Sequence, residues 1–506
     1  MKKIISVLLS LTLVFTLSSA AFAASELVIT DPYEGMDWDS VNFYKTALHT
    51  HTNASDGDPT LRESLERHAE TGFDAVATTD HGTVNYSWSE ACPNALIHGA
   101  LSLVGKSEGE LDYLGSAGSF ANGITYTLET AENGDDYLTM SDGRTMLRIP
   151  YGIENNAVSV NAHVNSWFVD YCDNSVTVYE DAVSSVDALG GVCVINHPGE
   201  YTKARYELHD EDAYNENNPV YKYYIDKYAA MLEKYDSCIG VDVNSKGDAR
   251  TRFDRILWDR LLTRFAAKGE NVFAIASSDA HQLNKIDTGF TLIAAESLTS
   301  ENLRSSLESG HFLAASHCIG SPEELCEIAA ALKEIYGETE LYTKVQSVYE
   351  EMQQRVYDIE NGNDDADSAI GTTYSVLDDE GYTTVDTFPS VTGISVDGSK
   401  ITIDTEDALI IRWISNGELV ATTPANGSAF DISDYADSIG DYVRAEIFGE
   451  GGIIYTQAFL INAEANAASS SGSDFFVSLG FLDFLFAEIN NWIAILGRML
   501  SNLVKC

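Results

Sequence analysis

From Asn42 to Ser316, short β-rich runs alternate with amphipathic segments, and polar residues follow one apolar run after another. "LRESLERHAETG" has helical spacing with Gly72 as its stop, and it leads into "FDAVATTDHG", an apolar run with a polar end. "DALGGVCVINHPG" repeats the form and "DSCIGVDVNS" follows. "FDRILWDRLLTRFAAKG" is a periodic helix closed by Gly269, just before "NVFAIASSDAH". Such alternation builds parallel strands with helices packed on them. Side chains at the C-terminal ends of those strands gather at one end of the fold, where barrel enzymes assemble active sites. The pattern predicts an α/β domain over 24–320 with its chemistry at the strand ends.

Those ends carry a restricted set of residues. In "HTHTNASDG", His49 and His51 stand at i and i+2, so on a strand they project to the same side. Asp56 returns from the turn that follows. "TTDHG" supplies Asp80 and His81, "GIENNAVSVNAHVN" supplies Glu154 and His163, "INHPG" supplies His197, and "SSDAH" supplies Asp279 and His281. Six of the 11 histidines fall in these segments. A lone HxH pair is more often two polar residues on an exposed strand than a pair of ligands. Five such segments at successive strand ends point to metal ligation. Imidazole and carboxylate without thiolate suit zinc, manganese or iron. Asp80 reads as a partner that orients a ligand. Glu129 and Asp170 are alternatives to His163.

In this order, "HTHTNASDG", "TTDHG", "GIE", "NHPG" and "SSDAH" resemble the PHP (polymerase and histidinol phosphatase) family of metal-dependent phosphoesterases, over roughly Tyr44 to Ser316. The resemblance implies a distorted, TIM-like β/α barrel of seven strands with two or three divalent ions (manganese, zinc or iron). It assigns His49, His51, Asp56, His81, Glu154, His163, His197, Asp279 and His281 as metal ligands, with Glu154 bridging. Glu154 and His197 also take catalytic roles. Arg148 leads the cations for a phosphate clamp, with Lys203, Arg205 and Lys246 as others, and Asn244 faces the same end. The implied reaction is hydrolysis of a phosphomono- or phosphodiester of a small or nucleotide-like substrate by metal-activated hydroxide. The same ligands would serve hydrolysis of a carboxylic ester, amide or carbamate. A non-catalytic surface-binding module is the third reading, and the complete ligand set argues against it.

The remaining chain bounds the setting. Residues 1–23 have a basic start, an apolar core and "AFA" at Ala21–Ala23, the pattern of an export signal, so an extracellular or cell-surface location is expected. A net charge of −48 disfavours duplex nucleic acid and leaves small phosphoesters or short oligonucleotides. The 7 cysteines include no CxxC pair, which excludes the usual structural zinc patterns. Residues 99–148 read as an insertion or lid, 321–390 as a helical segment with an acidic loop, and 391–462 as a small all-β, sandwich-like domain. Residues 463–474 read as a linker. Residues 475–506 read as an amphipathic helix for self-association or surface attachment.

Overall fold

The apolar runs form strands, and they divide between two sheets. The computed structural model describes residues 27–89, 111–155, 163–172, 179–362 and 373–462. The expected export signal, linker and C-terminal helix lie outside these residues. Asn42–Ala47 pairs in parallel with Ala75–Val76, which pairs in parallel with Thr145–Arg148. These strands belong to a 14-stranded sheet. Val192–Ile195, Cys238–Asn244 and Phe273–Ala276 form a second parallel run. Val164–Trp167 and Ile153–Asn155 extend it in antiparallel fashion to five strands.

The ladders do not close into the expected seven-stranded barrel. The two sheets meet instead at two isolated parallel bridges, Thr50 with Ala280 and His81 with Glu154. The backbone explains the interruption. Asp279 and His197 follow their strands with φ of +45° and +24°, far from extended geometry, so pairing stops where the candidate ligands begin.

Helices hold the strand ends in place. Leu61–Glu70 starts with a capping box, in which Thr60 accepts from Glu63 N while the Glu63 carboxylate accepts from Thr60 N. Asp254–Ala266 buries Leu257, Trp258, Leu261, Leu262 and Phe265. Trp258 Nε1 donates to Val272 O at 2.7 Å and ties that helix to the strand Phe273–Ala276. His68, on the helix Leu61–Glu70, is buried against Phe73, with Nδ1 2.7 Å from Ser64 O.

Residues 111–148 form an antiparallel meander at the edge of the large sheet, through Ala117–Ser119, Thr125–Thr130, Asp136–Met140 and Thr145–Arg148. None of these described residues lines the cleft described below. The helical segment after Ser321 is two helices, Pro322–Tyr336 and Glu340–Glu360. Gly337 at φ +81° ends the first, and Thr339 caps the second by accepting from Tyr342 N.

The C-terminal β-region is not a separate sandwich. Ser390–Asp397, Lys400–Glu406 and Phe430–Asp431 form a three-stranded sheet. The other strands there join the large sheet: Gly452–Tyr455 pairs with Phe312–Ser316, and Phe459–Ile461 pairs with Ile29–Thr30. Ile394, Ile403, Trp413 and Ile447 share one core between the layers. Alternation in the sequence marks a strand but not its neighbour, so this continuity was not legible from pattern alone.

Candidate metal centre

His49 and His51 leave the strand Asn42–Ala47 side by side, as the i, i+2 spacing requires, with both rings buried. Their Nε2 atoms lie 3.1 Å apart. From the opposite sheet Glu154 reaches between them: its Oε2 is 3.3 Å from His49 Nε2, 3.2 Å from His51 Nε2 and 3.1 Å from His81 Nδ1. Its Oε1 is 2.9 Å from His163 Nδ1 and 3.1 Å from His197 Nε2. Asp279 Oδ1 lies 3.3 Å from His49 Nε2 and 3.1 Å from His51 Nε2, and Asp279 Oδ2 lies 3.5 Å from His197 Nε2. Asp56 Oδ1 faces His51, His81 and His281 at 3.3 to 3.6 Å.

These nine residues fall into three groups able to hold a metal ion, with the ligand atoms of each within 4.8 Å of one another. They are His51, Asp56, His81 and His281; His49, Glu154, His197 and Asp279; and His81, Glu154 and His163. The first two groups share no residue. The third borrows His81 and Glu154. Glu154 has two oxygens to share, but a neutral imidazole offers a lone pair from only one nitrogen. The donor set fits divalent ions. Imidazole lone pairs and carboxylate oxygens are acceptors, and so many acceptors converging in a buried space need a shared cation.

The electrostatics agree. Burial works against charge on His51, but hydrogen bonds to Asp279 and Glu154 and the charge of Asp56 outweigh it and hold His51 well above the ordinary histidine range. His197 behaves likewise: burial opposes its charge, yet Asp279 and Glu154 push it up to about 9. Burial dominates for His81, pushed down to about 3. For Glu154 and Asp279 burial favours the neutral acid, and the surrounding cationic groups overcome it and hold both well below the usual carboxylate range.

Neighbouring groups orient the ligands. His281 Nδ1 donates to Asp279 O at 2.9 Å, which turns Nε2 toward Asp56. Ser55 Oγ lies 3.2 Å from His51 Nδ1 and donates to Asp80 Oδ1 at 2.7 Å. Asp80 also accepts from Thr52 N at 2.7 Å. Asp80 thus orients a ligand through Ser55, a link that no motif announced.

The groups floor a cleft of about 830 Å³. Its walls add Asp58, Glu200, Tyr201, Lys246, Arg250, Gln282 and Lys285. Tyr201 Oη is 2.9 Å from His163 Nδ1. Lys246 Nζ pairs with Asp279 and lies 3.5 Å from Glu200 Oε2. Arg148 is elsewhere. It is buried, with Nε donating to Asp136 Oδ2 at 2.8 Å and a second nitrogen donating to Asn85 O at 3.0 Å. Lys246 lines the cleft and Arg148 does not. Of the other cations named with it, Lys203 and Arg205 do not line the cleft; Arg250 and Lys285, which the sequence did not single out, do.

A scan against protein-family models finds no match for this chain, and a search of curated proteins finds none either. Among solved structures, it is similar to a two-domain protein from Bacteroides vulgatus containing a predicted PHP-like metal-dependent phosphoesterase. That likeness has 13% identity and a TM-score of 0.31 over 84% of this chain and 88% of the other. It is similar to PsfC from Pseudomonas syringae, with 14% identity and a TM-score of 0.28 over 52% and 88%. It is also similar to the lesion-specific endonuclease PfuEndoQ from Pyrococcus furiosus, with 11% identity and a TM-score of 0.28 over 53% and 56%. Likenesses of this size carry no weight for chemistry, which rests on the geometry of the site itself.

Proposed function

We propose that this protein is a metal-dependent phosphoesterase of PHP type, acting on small or flexible phosphomono- or phosphodiesters. The observation that carries the reading is the convergence of nine imidazole and carboxylate side chains, seven of them lining a cleft whose walls hold Lys246, Arg250 and Lys285. In the same reading the strands Asn42–Ala47 and Ala75–Val76 and the five-stranded sheet are the parts of a distorted seven-stranded barrel. The two bridges beside the ligands support it.

Bound divalent ions would supply an activated water and positive charge against the phosphoryl oxygens. The chain's own residues do the positioning. His51, Asp56, His81 and His281 would hold one ion, and His49, Glu154, His197 and Asp279 a second. The third group would depend on both. Lys246, on the wall above Asp279, meets the outer phosphate oxygens as a point charge. Tyr201 Oη beside His163 orients the leaving side of the substrate. A cationic wall favours a phosphoester over a neutral carboxylic ester, and the net charge of −48 keeps polyanionic duplexes away.

The test loads the protein with manganese, zinc or iron, counts the metal bound, and offers p-nitrophenyl phosphate, bis-p-nitrophenyl phosphate and p-nitrophenyl acetate. Two or three ions per chain with phosphoester turnover is the expected result. Turnover of the acetate alone would transfer the site to carboxylic esters. Neither metal nor turnover would leave a binding module.

A further inference from the structure

Lys246 reaches the cleft from an unusual piece of backbone. Lys246, Gly247 and Asp248 have successive φ values of +50°, +62° and +64°. Two of the three carry side chains that disfavour this region, so surrounding contacts must impose it. Those contacts centre on the buried carboxylate of Asp248. Arg255 grips it with two nitrogens, each at 3.0 Å, and Gly320 N donates to it at 2.6 Å. Gly320 itself has no room for a side chain, since a Cβ there would stand 2.7 Å from Asp248 O.

Arg255 does not end the chain of charges. It donates to Glu324 Oε2 at 2.5 Å, and Glu324 Oε1 accepts from Arg412 at 3.3 Å. Arg412 pairs with Glu446 directly across two neighbouring strands of the C-terminal region. Glu446 Oε1 then accepts from Arg444 at 2.6 Å, and Arg444 pairs with Asp259 at 2.7 Å. All seven residues are buried. Removing one partner from such a ladder strands a buried charge, so its geometry is strongly held.

We propose that this buried ladder is a positioning device: the C-terminal β-region, through Arg412, Glu446, Glu324, Arg255 and Asp248, sets Lys246 in the cleft and thereby sets affinity for the substrate's phosphate. The proposal rests on the phosphoester reading of the cleft. It makes the C-terminal region part of substrate recognition although none of its residues lines the cleft.

The test measures binding of inorganic phosphate to the full manganese-loaded chain by calorimetry, for wild type, Asp248→Asn, Glu446→Gln, Lys246→Met and the two doubles with Lys246→Met. Metal content is expected to match wild type throughout. Phosphate affinity should fall roughly tenfold in Asp248→Asn and Lys246→Met and less in Glu446→Gln, and the doubles should lose nothing beyond Lys246→Met alone. Amide exchange should rise over 244–251 in Glu446→Gln and stay unchanged over 279–282. Additive losses in the doubles, unchanged affinity in Asp248→Asn, or a uniform rise in exchange would overturn the proposal. If Glu446→Gln does not fold, Arg412→Lys, which keeps the charge, takes its place. Wild type that neither binds phosphate nor turns over any ester refutes the functional reading instead, and the exchange pattern still judges the ladder.

Discussion

Glu154 and His81 are joined twice. Their backbones form one of the two bridges between the sheets, and Glu154 Oε2 stands 3.1 Å from His81 Nδ1. One residue pair thus helps join the two sheets and knits the ligand groups together. Glu154→Gln keeps the shape and removes the charge that faces five histidines. Metal affinity is expected to fall about 100-fold or more, and turnover with it. Retained turnover at unchanged metal content would remove Glu154 from its assigned role.

His163 tests the order of filling. It belongs only to the group that borrows His81 and Glu154, so the two four-residue groups are complete without it. His163→Ala is expected to bind two ions with wild-type affinity and lose only the weakest. Elemental analysis across a chelator series reads this directly. Loss of all metal would show that the three groups fill as one unit.

The clustering of the nine side chains was legible because their chemistry is local. HxH and DxH place two donors on one side of a strand wherever the strand goes. Arg148 was misplaced for the opposite reason. Its partner Asp136 lies on the adjoining part of the meander, and register between strands is not visible in the order of residues. Lys246 could be named from "NSKGD" as a cation near a strand end, but not preferred over Arg148 without the turn that aims it. Ser55 and Tyr201 carry no spacing signal, since their roles arise from what the fold brings beside them.

Arg148 therefore supports a stability prediction. Its guanidinium and the Asp136 carboxylate form a buried pair. Arg148→Met leaves the Asp136 carboxylate without its ion-pair partner and with Thr130 as a remaining donor, at an expected cost of up to about 3 kcal/mol. Phosphate affinity per folded molecule should not change. Denaturant unfolding and phosphate titration separate the two effects, and weakened phosphate binding at full folding would return Arg148 to the clamp.

Metal binding should release protons. Asp279 and Glu154 overcome burial and hold His197 at about 9 in the metal-free site, so it is charged at neutral pH and must shed its proton to bind metal. A raised folded value stabilises below the ordinary 6.5, and the benefit is lost as pH rises through about 9. The metal-free protein should thus lose more stability from pH 6.5 to pH 9 than the loaded protein does, by up to about 3 kcal/mol. Calorimetry in buffers of different ionisation heat counts the protons. Binding heat independent of buffer at pH 7.5 would contradict this account.

Asp210 gives a pH effect far from the metal groups. Burial, and then the negative charge of Glu323, push its carboxyl from 3.8 up to about 8. The folded chain keeps a proton there that the unfolded chain gives up near pH 4, so folding loses stability as pH rises from about 4 to about 8. Asparagine cannot ionise and removes that dependence. At pH 8 and above, Asp210→Asn is expected to melt a few degrees higher than wild type, with the difference shrinking toward pH 4. His209 also faces Glu323, at 3.7 Å, and Glu360, at 3.0 Å, and its protonation on the acid side is common to both proteins, so it cancels in the comparison. Parallel melting curves across the whole range would mean that Asp210 ionises freely in the folded chain.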